Sequence, residues 1–167
     1  ASDVYKRQEG DIVSVDVGAF YGGFHGDNAF TFPCGKISAD AQALLDATKE
    51  SLYEGIKQAL AFNRVGDIGN AVQKYVEARS YSVVRDFVGH GVGAKLHEDP
   101  SVPNYGTAHR GVRLIPGMTI AIEPMVNQGR CNVRVLDDKW TTVTADGKLS
   151  AHFEHTVAIT PEGPKIM

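Results

Sequence analysis

Cysteine is scarce in this chain, with only Cys34 and Cys131 among 167 residues. Two cysteines are too few for a disulfide framework, and their separation matches no metal-binding spacing, so they read as reduced thiols of a cytoplasmic protein. Positive charge is also in short supply. With 17 Lys and Arg against 20 Asp and Glu, the formal net charge is -3. That leaves no basic surplus to neutralise phosphates and argues against nucleic acid as a direct ligand. No window approaches the ~20 consecutive apolar residues that a membrane span requires. The opening ASDVYKRQEG lacks the apolar centre of a secretory signal. The sequence thus reads as soluble and unexported, with no membrane partner. Linkers and low-complexity tracts are missing too. What remains, 43% hydrophobic and 22% charged, is the composition of one α+β domain long enough to bury a core.

The run Asp11 to Phe20 is β-branched and loosely alternating, and after a Tyr-Gly-Gly turn a second extended run covers Phe24 to Phe32. This pattern predicts a hairpin. Ser38 is placed to cap a helix whose apolar face is Leu45, Leu52, Ile56 and Leu60, running to about Phe62. A second helix restarts at Gly66-Asp67 with the stripe Ile68, Val72, Tyr75 and Val76, ends near Ser80, and should pack on the first. Gly89, Gly91 and Gly93 interrupt a polar stretch. Extended runs then follow at Met118 to Val126, Cys131 to Leu136, Trp140 to Thr144 and Ala151 to Thr160, the last two joined by an Asp146-Gly147 hairpin signal.

Asp16 interrupts the apolar strand IVSVDVGAF, and Asp27 lies across the turn in its partner. Glu123 interrupts MTIAIEPMV, and Glu154 interrupts AHFEHTVAI. An ionised carboxylate among buried neighbours costs several kcal/mol unless it is paired or bound to a cation. Four acids in four predicted strands would repel one another, so they call for a shared countercharge, a divalent metal or a pair of them. His90, in GHGVG, adds one imidazole. Such an oxygen-rich set with a single nitrogen suits a mid-row divalent ion, and carboxylates able to bridge would hold two ions ~3.5–4 Å apart and activate a water for hydrolysis.

The segments VDVGAFYGGFHGD, VGHGVGAKLHEDPSVPNYG, PGMTIAIEPMVN and SAHFEHTVAIT resemble the ligand-bearing motifs of type I methionine aminopeptidases, dinuclear metallopeptidases of the pita-bread fold. The resemblance runs from Glu9 to the C-terminus, with five ligand positions in order at offsets of 11 (16 to 27), 63 (27 to 90), 33 (90 to 123) and 31 (123 to 154). It implies an α+β fold with an antiparallel curved sheet and helices on the outer face. It also implies that Asp16 chelates one metal, that Asp27 and Glu154 bridge both, and that His90 and Glu123 complete the other. The implied activity is removal of the N-terminal methionine from nascent proteins. The implied cofactors are two divalent ions, with Mn, Fe, Co, Ni and Zn all compatible with the ligand set. Glu123 would move the proton, His97 of LHEDP would contact the scissile peptide, and Trp140 would line the methionine pocket. His25, His109 and His155 read as structural. His152 stands where many relatives carry Gln, two residues before Glu154, and is a candidate to support a ligand from behind. The implied setting is a monomer meeting nascent chains at the ribosome.

Two other readings share these motifs, a proline-directed aminopeptidase of the same fold and a pita-bread binding module without catalysis. Glu123-Pro124-Met125 and Glu154-His155-Thr156 favour the methionine enzymes over the proline-directed ones, and retention of all five ligand positions argues against a module. Residues 1 to 8, ASDVYKRQ, match a translation of the transposase adapter used to build sequencing libraries. They are therefore expected to be a non-native leader before a catalytic domain at 9–167 that is incomplete at its N-terminus. On this expectation a first helix pair, and a histidine the family uses, are encoded upstream. The first hairpin should then expose an apolar face, and the isolated fragment should be poorly folded or nearly inactive.

Overall fold

The structure, a computed structural model, describes residues 6–167; Ala1 to Tyr5 of the expected leader lie outside the described residues. Strands β1 (Ile12–Tyr21) and β2 (Phe24–Pro33) form the expected hairpin, in register from Ile12 opposite Pro33 to Tyr21 opposite Phe24. Its turn is Gly22-Gly23, with φ of 59° and 91°. That left-handed pair matches the twist of the flanking strands and costs an L-side chain dearly. Because opposed residues share a face, Asp16, Gly18, Asp27, Ala29 and Thr31 look one way while Val13, Val15, Val17, Phe30 and Phe32 look the other. Phe30 packs edge-on against Phe153. Val15, Val17, Tyr21, Phe24 and Phe32 remain exposed, the bare apolar face that the sequence anticipates.

Helix α1 (Ala39–Lys57) starts where Ser38 Oγ accepts the Ala41 N–H at 3.1 Å. It stops five residues short of the predicted Phe62. The Asn63 side-chain amide caps the Gln58 carbonyl at 2.9 Å, and Phe62 is left-handed, with φ 75°. An amide that satisfies an orphan carbonyl ends the helix more cheaply than another turn would extend it. Helix α2 (Val65–Glu77) begins with the Arg64 N–H on Asp67 Oδ2 at 2.8 Å and buries Ile68, Val72 and Val76. Those side chains join Leu44, Leu52, Ile120, Ile122, Val126 and Val157 in the core. No helix among the described residues is long and apolar enough to cross a membrane.

The remaining strands are β3 (Ser82–Val83), β4 (Gly89–Gly91), β5 (Glu98–Val102), β6 (Thr119–Ile122), β7 (Met125–Asn127), β8 (Val133–Val135), β9 (Thr142–Thr144), β10 (Ser150–His152), β11 (His155–Thr160) and β12 (Gly163–Ile166). They build one sheet in the order β10-β7-β3 and another in the order β12-β11-β6-β4-β5, beside the β8-β9 ribbon. Three expectations are corrected here. The Asp146-Gly147 turn does not join paired strands, since β9 pairs back with β8 and β10 pairs with β7. The glycine stretch at 89–91 is itself a strand, β4, held between β5 and β6. And the runs 118–126 and 151–160 are each two strands, broken at Glu123-Pro124 and at Phe153-Glu154. Pro124 has no N–H to offer a ladder. Because Ile122 faces His155 and Met125 faces His152, both strands of this pair break at the same level.

Candidate metal centre

Glu123 and Glu154 therefore stand at breaks rather than in strand interiors, and β2 runs along one of those breaks. The Glu154 N–H donates to the Ala29 carbonyl at 2.9 Å. On one side of it, the Thr31 hydroxyl accepts the His152 N–H at 2.9 Å and donates to the His152 carbonyl at 2.8 Å. On the other, the Thr156 hydroxyl accepts the Asp27 N–H at 2.8 Å and donates to the Asp27 carbonyl at 2.7 Å. The partners 31 and 152, 29 and 154, 27 and 156 advance in antiparallel register, with a hydroxyl standing in for the missing backbone partner at each end. This seam fixes Asp27 and Glu154 beside each other. Asp16 joins them from β1, on the Asp27 face and opposite Ala29. Gly18, directly opposite Asp27, leaves that face open; a Cβ there would lie 3.2 Å from a Leu96 methyl.

The structure brings together all five sequence-predicted ligands. Candidate ligand atoms lie within 4.8 Å of one another in three overlapping groups: Asp16, Asp27 and Glu154; His90, Glu123 and Glu154; and Asp27, His90 and His97. His90 Nε2 is 3.7 Å from Asp27 Oδ2 and 3.5 Å from Glu123 Oε1. Its Nδ1 lies 2.9 Å from the Gly91 carbonyl, and a proton there leaves the Nε2 lone pair for a cation. The His97 ring sits 4.2 Å from that of His90, and the two border an open cleft of about 580 Å³. Trp140 lies outside these groups. It occupies the exposed turn between β8 and β9, its backbone N–H on Asp138.

Electrostatically the cluster is a frustrated pile of acids. Burial, then the charges of Glu123, Asp27 and Asp16, push the Glu154 carboxyl up to about 9. Burial and the Asp16 charge also raise Asp27, against a smaller lowering by His90. Glu154 Oε1 is buried with no hydrogen-bond partner. A buried acceptor left empty costs about 1–3 kcal/mol, and a divalent cation relieves both that deficit and the repulsion. The donor set, four carboxylates and an imidazole without thiolate, fits a hard or borderline divalent ion.

Of the remaining histidines, three tie elements together. The His25 N–H bonds the Gly93 carbonyl at 2.8 Å, His109 sits on Asp67, and His155 links Asn28 to Tyr53. The sequence gives no warning of Thr31 or of Asn104, whose side chain donates to the Glu123 carbonyl at 3.0 Å. A threonine acting on backbone 121 residues away, or an asparagine on backbone 19 residues away, leaves no local periodicity to read.

The metallopeptidase family M24 model matches residues 2–161. The chain belongs to this family. It is 58% identical over 163 residues to a methionine aminopeptidase of Clostridium perfringens, covering 98% of this chain and 66% of the relative. A crystal structure of methionine aminopeptidase from Thermotoga maritima superposes with a TM-score of 0.93 at 51% identity, over 95% of this chain and 64% of that one. A prolidase from Pyrococcus horikoshii shares the fold alone, with a TM-score of 0.74 at 24% identity over 99% of this chain and 42% of the other. The fold is thus the pita-bread α+β fold of the M24 peptidases, whose members use divalent metal, and this chain spans about two thirds of its methionine aminopeptidase relatives.

Proposed function

We propose that this chain carries the metal-binding part of a methionine aminopeptidase, which hydrolyses the first peptide bond of nascent chains in the cytoplasm as a monomer. The reading rests above all on the convergence of Asp16, Asp27, His90, Glu123 and Glu154 at one broken strand pair, in a chain so similar to a methionine aminopeptidase. In this reading Asp16, Asp27 and Glu154 would hold one divalent ion, and Asp27, Glu154, His90 and Glu123 would hold a second, of the Mn, Fe, Co, Ni or Zn type. The ions would supply Lewis acidity and a water of lowered pKa.

The chain's own residues do the rest. Glu123, with one carboxylate oxygen toward His90, takes a proton from the attacking side and returns it to the leaving amine. His97, exposed beside His90, reaches out to hydrogen-bond the scissile peptide. Trp140 covers the unbranched methionine side chain when substrate binds. The burial of Asp27 and Glu154 keeps the ligands rigid and dry, where charge stabilisation is strongest.

Two measurements test this. Metal analysis of the full-length protein and its variants should find two ions per chain. Asp27→Ala and Glu154→Ala should lose both, while Asp16→Ala and His90→Ala should each lose one. A peptide panel should show release of Met from Met-Ala-x peptides, with little release of Leu, Lys or Glu and none of x from x-Pro peptides. Preferred cleavage before proline, or no bound metal in the parent protein, would overturn the reading.

A further inference from the structure

Glu123 has a carboxylate with two different neighbours. Its Oε1 is 3.5 Å from His90 Nε2, and its Oε2 is 3.6 Å from His152 Nε2. The His152 side chain is only 15% exposed, and its Nε2 is buried with no hydrogen-bond partner within bonding distance. The backbone of His152 is not free to follow another use for the ring. Both its N–H and its carbonyl are held by the Thr31 hydroxyl, and the residue faces Met125 across the β7-β10 ladder. The Glu123 carbonyl is fixed in turn by Asn104. A buried ring nitrogen aimed at a carboxylate oxygen, on two anchored backbones, needs a shift of only about half an ångström to reach hydrogen-bond length. Leaving it unpaired forfeits about 1–3 kcal/mol.

We propose that His152 is a positioning residue for Glu123: its Nε2–H donates to Oε2 and thereby holds Oε1 turned toward His90 and the second ion position. The proposal rests on the metallopeptidase reading above. A glutamate side chain has three rotatable bonds, and without a fixed second oxygen it can swing either oxygen, or both, toward the neighbouring positive charge. Committing one oxygen to His152 leaves one for the cation and for proton traffic. His152 itself touches neither substrate nor ion in this assignment. It sets the direction of a group that does.

The test uses the full-length protein and three substitutions. His152→Gln retains an N–H donor of similar reach, whereas His152→Phe keeps a flat ring without the donor and His152→Ala removes both. Stepwise Mn2+ titration by calorimetry should show two binding events in the parent. The event that His90→Ala abolishes, which is the one Glu123 helps to make, should fall about 10–100-fold in affinity in the Phe and Ala variants, the range typical for losing a ligand's supporting partner. It should stay within about threefold of the parent in the Gln variant, on that same scale. The kcat for a Met-Ala-Ser peptide should follow the same order with KM little changed. In the metal-free parent, nitrogen-15 NMR of the imidazoles should find His152 protonated at Nε2 and its proton slow to exchange. Parent-like Mn2+ affinity and kcat in a folded His152→Phe protein, or a proton resident on Nδ1 alone, would overturn the proposal. If Ala or Phe prevents folding, Gln still decides, because a folded Gln variant that has lost the event His90→Ala abolishes contradicts a donor role. Absence of Mn2+ binding in the parent would instead sink the metal reading itself, which separates the two failures.

Discussion

The Thr156 hydroxyl is bonded to both backbone groups of Asp27, accepting its N–H at 2.8 Å and donating to its carbonyl at 2.7 Å across 129 residues of sequence. This pair of bonds ties the Asp27 backbone directly to the segment that carries Glu154. Thr156→Val preserves shape and burial but leaves the Asp27 N–H and carbonyl unpaired in a dry seam. It should destabilise the protein by about 1–3 kcal/mol in urea denaturation and weaken Mn2+ binding at both positions. Thr156→Ser should restore most of each. A valine variant with unchanged metal affinity would mean that β1 and β2 alone set the Asp27 carboxylate.

The raised Glu154 carboxyl has a pH signature with a definite sign. Its ordinary value is 4.5 and burial with three acidic neighbours lifts it to about 9 in the fold, so between those values the folded state holds a proton that the unfolded state has released. In the metal-free protein the associated stability is fully present below the ordinary value and is lost as pH rises through about 9. Glu154→Gln cannot ionise. Its stability advantage over the metal-free parent should therefore widen from about pH 5 to about pH 9, as read from urea midpoints. Mn2+ must displace the proton to bind, so calorimetry near neutral pH in buffers of different ionisation enthalpy should register proton release in the parent. A pH-independent difference between variant and parent would place the Glu154 carboxyl in its ordinary range.

The outer face of the first hairpin makes a separate prediction. Val15 and Val17 are 44% and 56% exposed on β1, with Phe24 and Tyr21 beyond them, and among the described residues β1 pairs with β2 alone, which leaves its other edge open. An apolar face joined to an open edge favours self-association. These 167 residues alone should therefore aggregate, and the double variant Val15→Thr, Val17→Thr should suppress it without changing the unfolding free energy in urea by more than about 1 kcal/mol. Light scattering against concentration measures it. Monomeric behaviour of the unaltered chain at high concentration would show that the patch is not sticky.

The parts of the fold visible in the sequence were those with local causes. Gly22-Gly23 marks its hairpin because few other pairs accept positive φ twice, and Ser38 marks its helix by the cap it makes. The ligands were visible for a different reason: Glu154 is buried among apolar neighbours, where a carboxylate is expensive without a counterion, whereas Asp16, though it interrupts an apolar run, is exposed on β1. What could not be read were events with remote partners. The break at Phe153-Glu154 exists because β10 and β11 belong to different sheets, and nothing immediately around it marks that. The stop of α1 is set nearby, by Asn63 folding back on Gln58, but the apolar Leu60 and Phe62 extend the helical pattern past it. Even the Pro124 break, which has a local cause, hid inside a run that is apolar on both sides.

Trp140 offers a direct optical test of substrate binding, because it is the only tryptophan in the chain and is 87% exposed on the β8-β9 turn. A bare indole at that position emits as a solvated fluorophore and is quenched freely by acrylamide. If it covers the methionine side chain, as proposed, an apolar ligand group must remove part of its surface from water. Full burial of an aromatic side chain is worth about 1.5–3 kcal/mol, and partial coverage correspondingly less. Adding a non-hydrolysed Met-Ala analogue to the full-length, metal-loaded protein should shift Trp140 emission to the blue and reduce acrylamide quenching, whereas a Lys-Ala analogue should do neither. Trp140→Ala should raise KM for Met-Ala-Ser about tenfold, equivalent to ~1.4 kcal/mol, with kcat changed less, because the indole would hold the side chain without touching the reacting atoms. An unshifted spectrum at saturating analogue, or an unchanged KM in the alanine variant, would remove Trp140 from the methionine pocket and leave it a surface residue of the turn.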